Sequence, residues 1–154
     1  MKMNRYLEEL GLTWYSLPGQ YDEKLDNNNE FCGVPASDIR NREDEEGFCE
    51  YEFFNLDYTL SLHIYSKLCY FREHFSSLAV PGCLCGSYDN AVSYEEIDER
   101  KQAAHNKWIS ILDKMILAFK LKIKGVREGY EGIDREKIRE GMQLFVEYYD
   151  CLWY

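Results

Sequence analysis

The stretch Asn106-Lys107-Trp108-Ile109-Ser110-Ile111-Leu112-Asp113-Lys114-Met115-Ile116-Leu117-Ala118-Phe119-Lys120-Leu121-Lys122-Ile123-Lys124-Gly125 decides the fold. Trp108, Leu112, Met115, Ile116, Phe119 and Ile123 recur at spacings of three and four, which sets six large apolar side chains on one face of an α-helix. A face of that length must be covered, so the rest of the chain is expected to supply helices that pack on it.

Upstream, Ser93-Tyr94-Glu95-Glu96 fits a capping box, with Ser93 as cap and Glu96 three residues on. It predicts a helix from Tyr94 to about Lys124, about 45 Å long at 1.5 Å per residue. The first part, Glu95 to Lys107, is strongly charged, with Ile97, Ala103 and Ala104 as its small apolar marks. That half either projects past the core or forms a separate, bent piece. Further upstream, Leu56, Leu60, Ile64, Leu68, Phe71 and Phe75 predict the buried stripe of a helix over 55–75, with Asn55 as cap and Asp57 in the first turn. Residues 3–10 read as a short helix with Gly11 as its stop, and 12–17 as an extended arm.

Downstream, Gly125, Gly129 and Gly132 break the pattern, and Asp134 caps a last helix with Ile138, Met142, Phe145, Tyr149 and Leu152 on one face. The end, Tyr148-Tyr149-Asp150-Cys151-Leu152-Trp153-Tyr154, is aromatic enough that it is expected to dock on the body or on a second subunit. The expected fold is therefore mostly α: one compact helical domain over 1–154, with a long central helix, a short N-terminal arm and an acidic loop region at 20–52.

The 154 residues match one domain, and 45% hydrophobic content is ample for a core without staples. The formal net charge of −10 argues against direct DNA binding, which needs Lys and Arg on phosphates. The charge is unevenly placed. Residues 22–52 carry eleven acids against three bases, whereas 53–154 carry fifteen against thirteen. Solubility is the simple reason for such a segment; an acidic contact surface is the other. Six cysteines are too sparse for a disulfide scaffold. No apolar run reaches signal-peptide or membrane-span length, so a cytoplasmic protein with reduced thiols is expected.

Three pieces carry a resemblance: Phe53-Phe54-Asn55-Leu56-Asp57-Tyr58-Thr59-Leu60, then Trp108 through Phe119, then Gly141-Met142-Gln143-Leu144-Phe145-Val146-Glu147-Tyr148-Tyr149-Asp150-Cys151-Leu152-Trp153. Together they resemble a family of small uncharacterised helical proteins from bacteriophages and prophages. The resemblance covers roughly residues 53–75 and 106–154. It implies a phage origin, residence in the cytoplasm of a bacterial host and an accessory role against a host component. It carries over no catalytic residues.

Chemistry-bearing constellations are sparse. Cys83-Leu84-Cys85 has one residue between the thiols, shorter than the two to four usual in structural zinc sites. His63 and His74 lie about 16 Å apart along one helix, too far to share an ion. Asp57 and Asp113 both sit beside apolar stripes and are candidates to face one another across the helix pair. A cap-region acid and an edge residue are the simpler readings. No phosphate loop, dinucleotide fingerprint, nucleophile elbow or His-Glu-x-x-His motif is present. The expectation is a non-enzyme with no catalytic residues, no metal and no cofactor.

Two binding surfaces stand out. Glu43, Asp44, Glu45, Glu46, Glu50 and Tyr51 concentrate carboxylates beside an aromatic, suited to a basic, nucleic-acid-handling groove. They support the leading reading, an anti-CRISPR-like or similar anti-defence inhibitor that binds a host defence protein. Lys120, Lys122, Lys124, Arg127 and Tyr130 gather cations at a helix end beside an aromatic able to stack on a base. They support the alternative, a sponge sequestering a nucleotide or cyclic-oligonucleotide immune signal. The long helix and the aromatic terminus also point to a homo-oligomer.

Overall fold

The computed structural model describes residues 5–12, 30–31, 34–35, 56–86 and 93–153, and these are mostly α-helical. In chain order the elements are α1 (Arg5–Glu8), β1 (Glu30–Phe31), β2 (Val34–Pro35), α2 (Leu56–His74), α3 (Gly82–Cys85), α4 (Tyr94–Glu128), α5 (Arg135–Glu147) and a closing 3-10 turn (Tyr149–Cys151). The chain divides into two compact units, Met1–His63 and Ile64–Tyr154, and α2 runs across the boundary.

In the first unit α1 buries Tyr6 and Leu7, and Leu12 behind it is 3% exposed. Gly11 stops the helix as expected, its N–H donating to Glu8 O and that of Leu12 to Leu7 O. Within the acidic region, β1 and β2 pair antiparallel, with Glu30 opposite Pro35 and Phe31 opposite Val34. The remainder of 20–52, Asn55 and residues 13–17 lie outside the described residues.

The start of α2 departs from the sequence expectation. Leu56 and Leu60 are 43% and 49% exposed, while Leu62, Tyr65 and Leu68 are buried, together with Thr59, Ser61 and Ser66. The Ser61 hydroxyl is satisfied locally by donating to the Asp57 carbonyl one turn back. Thus the buried face of the first half is turned about half a revolution from the predicted stripe, because residue 62 lies 200° round the helix from residue 60.

The second unit is built on α4. Its 35 residues form one continuous helix, roughly 52 Å long, not two pieces. Ser93 Oγ accepts from the Glu96 N–H at 3.3 Å, so the predicted cap is in place. Ala104, Trp108, Ile111, Leu112, Met115, Ala118, Phe119 and Ile123 are buried along one face. The helix also runs past its predicted end. Gly125 is a buried internal position, and Gly129, at φ 93°, closes the helix by donating to Gly125 O.

Among the described residues, α4 and α5 make the most extensive contact between elements and meet as an antiparallel hairpin. Gly141 makes that possible: a Cβ there would strike the backbone O of Lys114 and the Cβ of Ala118. Phe119 meets Phe145 edge-on at 5.2 Å, and Lys114 reaches Glu140 at 2.7 Å. The buried edge of α5 is centred on Gly141 and Tyr148, not on the predicted Tyr149, which is 63% exposed. Asp134 caps α5 as expected, accepting from the N–H groups of Glu136 and Lys137. The C-terminal half of α2 joins the same unit through Phe71, edge-on to Trp108 at 6.5 Å. It is further tied by Arg72, which donates twice to the Asp113 carboxylate, at 2.9 and 3.3 Å.

Candidate functional site

The basic end of α4 comes from five residues of one helix and the turn after it. Helical geometry puts Lys120, Lys124 and Arg127 on one side, at spacings of four and three, and carries Lys122 about half a turn round. Lys120, Lys124 and Arg127 are exposed and Lys122 is half-buried. Lys124 lies 3.9 Å from Glu128, an exposed pair. Tyr130 folds back so that its ring covers Gly125, and the Arg135 guanidinium sits over that ring at 5.6 Å. The tyrosine marked as a base-stacking platform therefore already serves the turn between α4 and α5, and is 37% exposed. What the geometry brings together is a cationic stripe of three.

Of the acidic candidates, Glu43, Asp44, Glu45, Glu46, Glu50 and Tyr51 all lie outside the described residues. The carboxylates weighed for acid–base work each have a local setting. Asp113 is held by Arg72, whose guanidinium is raised above its ordinary value by the hydrogen bond to Asp113. Asp57 is exposed in the first turn of α2, where its carbonyl receives Ser61. Among the described residues, no group of three His, Cys, Asp or Glu side chains is placed to hold a metal ion. No described helix is long and apolar enough to cross a membrane.

The end of α5 carries the aromatic terminus that the sequence marks for docking. Tyr148 is buried against Trp108, with ring centroids 5.7 Å apart. Burial pushes its phenol up, and Glu147 and the thiols of Cys83 and Cys151 act in the same direction. On the outside, Val146, Tyr149 and Trp153 are 76%, 63% and 71% exposed. Tyr149 keeps one contact inward, edge-on to Phe145 at 5.7 Å. An aliphatic, a tyrosine and a tryptophan left in water within eight residues make a composition typical of contact surfaces. The aromatic terminus thus docks by half: Tyr148 goes in, while Tyr149 and Trp153 stay out.

Burial pushes the Cys151 thiol up, with Cys83 and Asp150 acting in the same direction. No known protein family, curated protein or solved structure matches the chain.

Proposed function

We propose that this chain is a non-enzymatic binding protein, a phage accessory factor that captures and inhibits a host protein. The observation that carries the reading is the exposure of Val146, Tyr149 and Trp153 at 76%, 63% and 71% beside a well-packed helical hairpin. Large side chains of this kind left in water on a rigid element are the usual anchors of protein interfaces. The acidic segment, eleven acids against three bases over 22–52, adds electrostatic steering toward a basic partner. A nucleic-acid-handling defence protein has such a surface, which makes anti-defence inhibition the specific form of the proposal. A second reading, sequestration of an anionic nucleotide, rests on the stripe of Lys120, Lys124 and Arg127.

The two readings separate in one set of variants. Capture from a bacterial host extract uses the wild-type chain, a Trp153→Ser/Tyr149→Ser variant, a Glu43→Ser/Asp44→Ser/Glu45→Ser/Glu46→Ser variant and a Lys120→Ser/Lys124→Ser variant. Host-protein binding requires a partner that is lost from the first two variants and kept by the third. A nucleotide that co-purifies with all but the lysine variant would establish sequestration instead. Identical partners for all four chains would end the proposal.

A further inference from the structure

We infer that the outer side of α5 and its closing turn docks a basic amphipathic helix, a segment with aliphatic residues three and four apart and a row of Lys and Arg beside them. The inference rests on the binding reading above and names the chemistry of the partner segment. Charge is divided along α5. In its first half each acid has a cation: Asp134 lies 3.4 Å from Lys137, Glu136 2.6 Å from Arg139 and Glu140 2.7 Å from Lys114. From Gly141 to Trp153 the sequence holds no Lys, Arg or His. The two acids there, Glu147 and Asp150, are exposed and carry no ion pair among the described residues. Val146 and Tyr149 are exposed beside them, and Trp153 is exposed four residues further on.

Helical spacing arranges these residues in rows. Val146 and Tyr149 are three apart, and so are Glu147 and Asp150, one position on. The backbone keeps turning between them, with Tyr148 N–H donating to Leu144 O and Cys151 N–H to Tyr148 O, both at 2.9 Å. Gly141 and Tyr148 mark the packed side of the helix, so the apolar row lies next to the body and the acidic row lies outside it. The complement of two such rows is an apolar row with cations along one edge. A helix supplies it, because the ridges of one helix seat between the rows of another. An added strand would need a sheet edge, and among the described residues this unit contains no strand. A nucleic acid or an anionic membrane would meet Glu147 and Asp150 with charge of the same sign.

The test uses the full chain labelled with 5-fluorotryptophan, in which Trp153→Phe assigns the Trp153 resonance. The probes are synthetic peptides about five helical turns long. One carries Leu at helical spacing with Lys elsewhere, a second has Glu for every Lys, and a third has Ser for every Leu. The Leu–Lys peptide should shift the Trp153 resonance saturably, and the other two should bind about tenfold more weakly or not at all. Glu147→Lys/Asp150→Lys should weaken the Leu–Lys peptide about tenfold, and Glu147→Gln/Asp150→Asn less but in the same direction. Glu43→Ser/Asp44→Ser/Glu45→Ser/Glu46→Ser should leave it within about twofold at moderate salt. Circular dichroism melts check that each variant is folded, and the Gln/Asn pair serves if the Lys pair is not. Equal affinity for the Lys–Ser peptide, a Trp153 resonance that stays still as the peptide binds, or indifference to Glu147 and Asp150 would overturn the inference. So would a wild-type dimer that Tyr149→Ser dissociates, since a second copy would then be the occupant. A captured host protein that needs Tyr149 and Trp153 yet tolerates Glu147→Lys/Asp150→Lys would leave the binding reading standing and remove this one.

Discussion

Helices α2 and α4 are both rich in large apolar residues, yet one wears its buried face openly and the other conceals it. In α4 from Trp108 onward, Asp113, Lys114, Lys120, Lys124 and Arg127 mark the outer side, and the apolar residues between them have one place to go. In the first half of α2, Leu56, Tyr58, Leu60, Leu62 and Ile64 alternate. At 100° per residue an alternating pattern is spread right round a helix, so several faces fit equally well. Periodicity then finds the helix and misassigns its inner side. What resolves a buried face is the placement of charge opposite it, more than the number of apolar residues on it.

The largest effects should fall where this contrast is sharpest. Leu112 is 0% exposed and Leu62 is 1% exposed, whereas Leu60, two residues from Leu62, is 49% exposed. Leu112→Ala and Leu62→Ala are each expected to cost about 2–5 kcal/mol, the range for a leucine truncated in a closed site. Leu60→Ala should stay within about 0.5 kcal/mol, as for surface changes. Urea midpoints at constant slope measure all three. Equal losses at residues 60 and 62 would mean that both sides of α2 are covered and would dissolve the comparison.

Glycines sharpen it next, by testing how rigidly α4 meets its neighbours. At Gly141 a methyl group would meet the Lys114 carbonyl oxygen, which is part of the helix backbone and has no freedom to retreat. Gly141→Ala is expected to lose about 1–3 kcal/mol through overpacking, more than the roughly 1 kcal/mol that helix propensity returns. At Gly125 the obstacle is the Tyr130 ring, the end of a side chain that rotates away. Gly125→Ala should therefore fall within about 1 kcal/mol of wild type, the propensity gain offsetting the displaced ring. The measurement is the difference in thermal midpoint between the two variants, and a larger loss at Gly125 would contradict it.

Much of the architecture was legible for reasons these residues make plain. Ser93 with Glu96 and Asp134 before its helix are local hydrogen-bonding devices, readable without knowing the fold. Gly125 was misread as a helix end because a glycine inside a helix and a glycine after one look alike in sequence. Only the ring of Tyr130 lying over it reveals the difference. Tyr148 and Tyr149 show the same limit: which of two adjacent tyrosines turns inward is set by the hairpin's close approach at Gly141 and by Trp108.

The polar tie between α2 and α4 ranks below these. Arg72 and Asp113 make a two-pronged pair, but their side chains are 41% and 51% exposed, so solvent screens them. A double-mutant cycle with Arg72→Ala and Asp113→Ala is expected to return a coupling of about 0.2–1 kcal/mol. That coupling should shrink between low and high salt, the mark of an exposed pair. A salt-independent coupling of several kcal/mol would show instead that the pair fixes the position of α2, a role here given to Phe71 and Trp108.

The smallest effect concerns the cap of α5 and depends on pH. The backbone N–H of Lys137, assisted by its ammonium and by the Glu136 N–H, holds the Asp134 carboxyl below its ordinary value. A group depressed in the folded state binds its proton more readily when unfolded. Its stabilisation is therefore present above the unfolded carboxylate range and lost as pH falls through the lower, folded value. Asp134→Asn keeps an acceptor for the same N–H groups and removes the charge. At neutral pH it should shift the thermal midpoint less than any core variant above. Below the carboxylate range the two proteins should converge, since wild type has by then lost the same charge. Melts that stay equally far apart at neutral and acid pH would place the effect of the substitution in side-chain geometry, and the carboxylate would then add nothing that its amide does not.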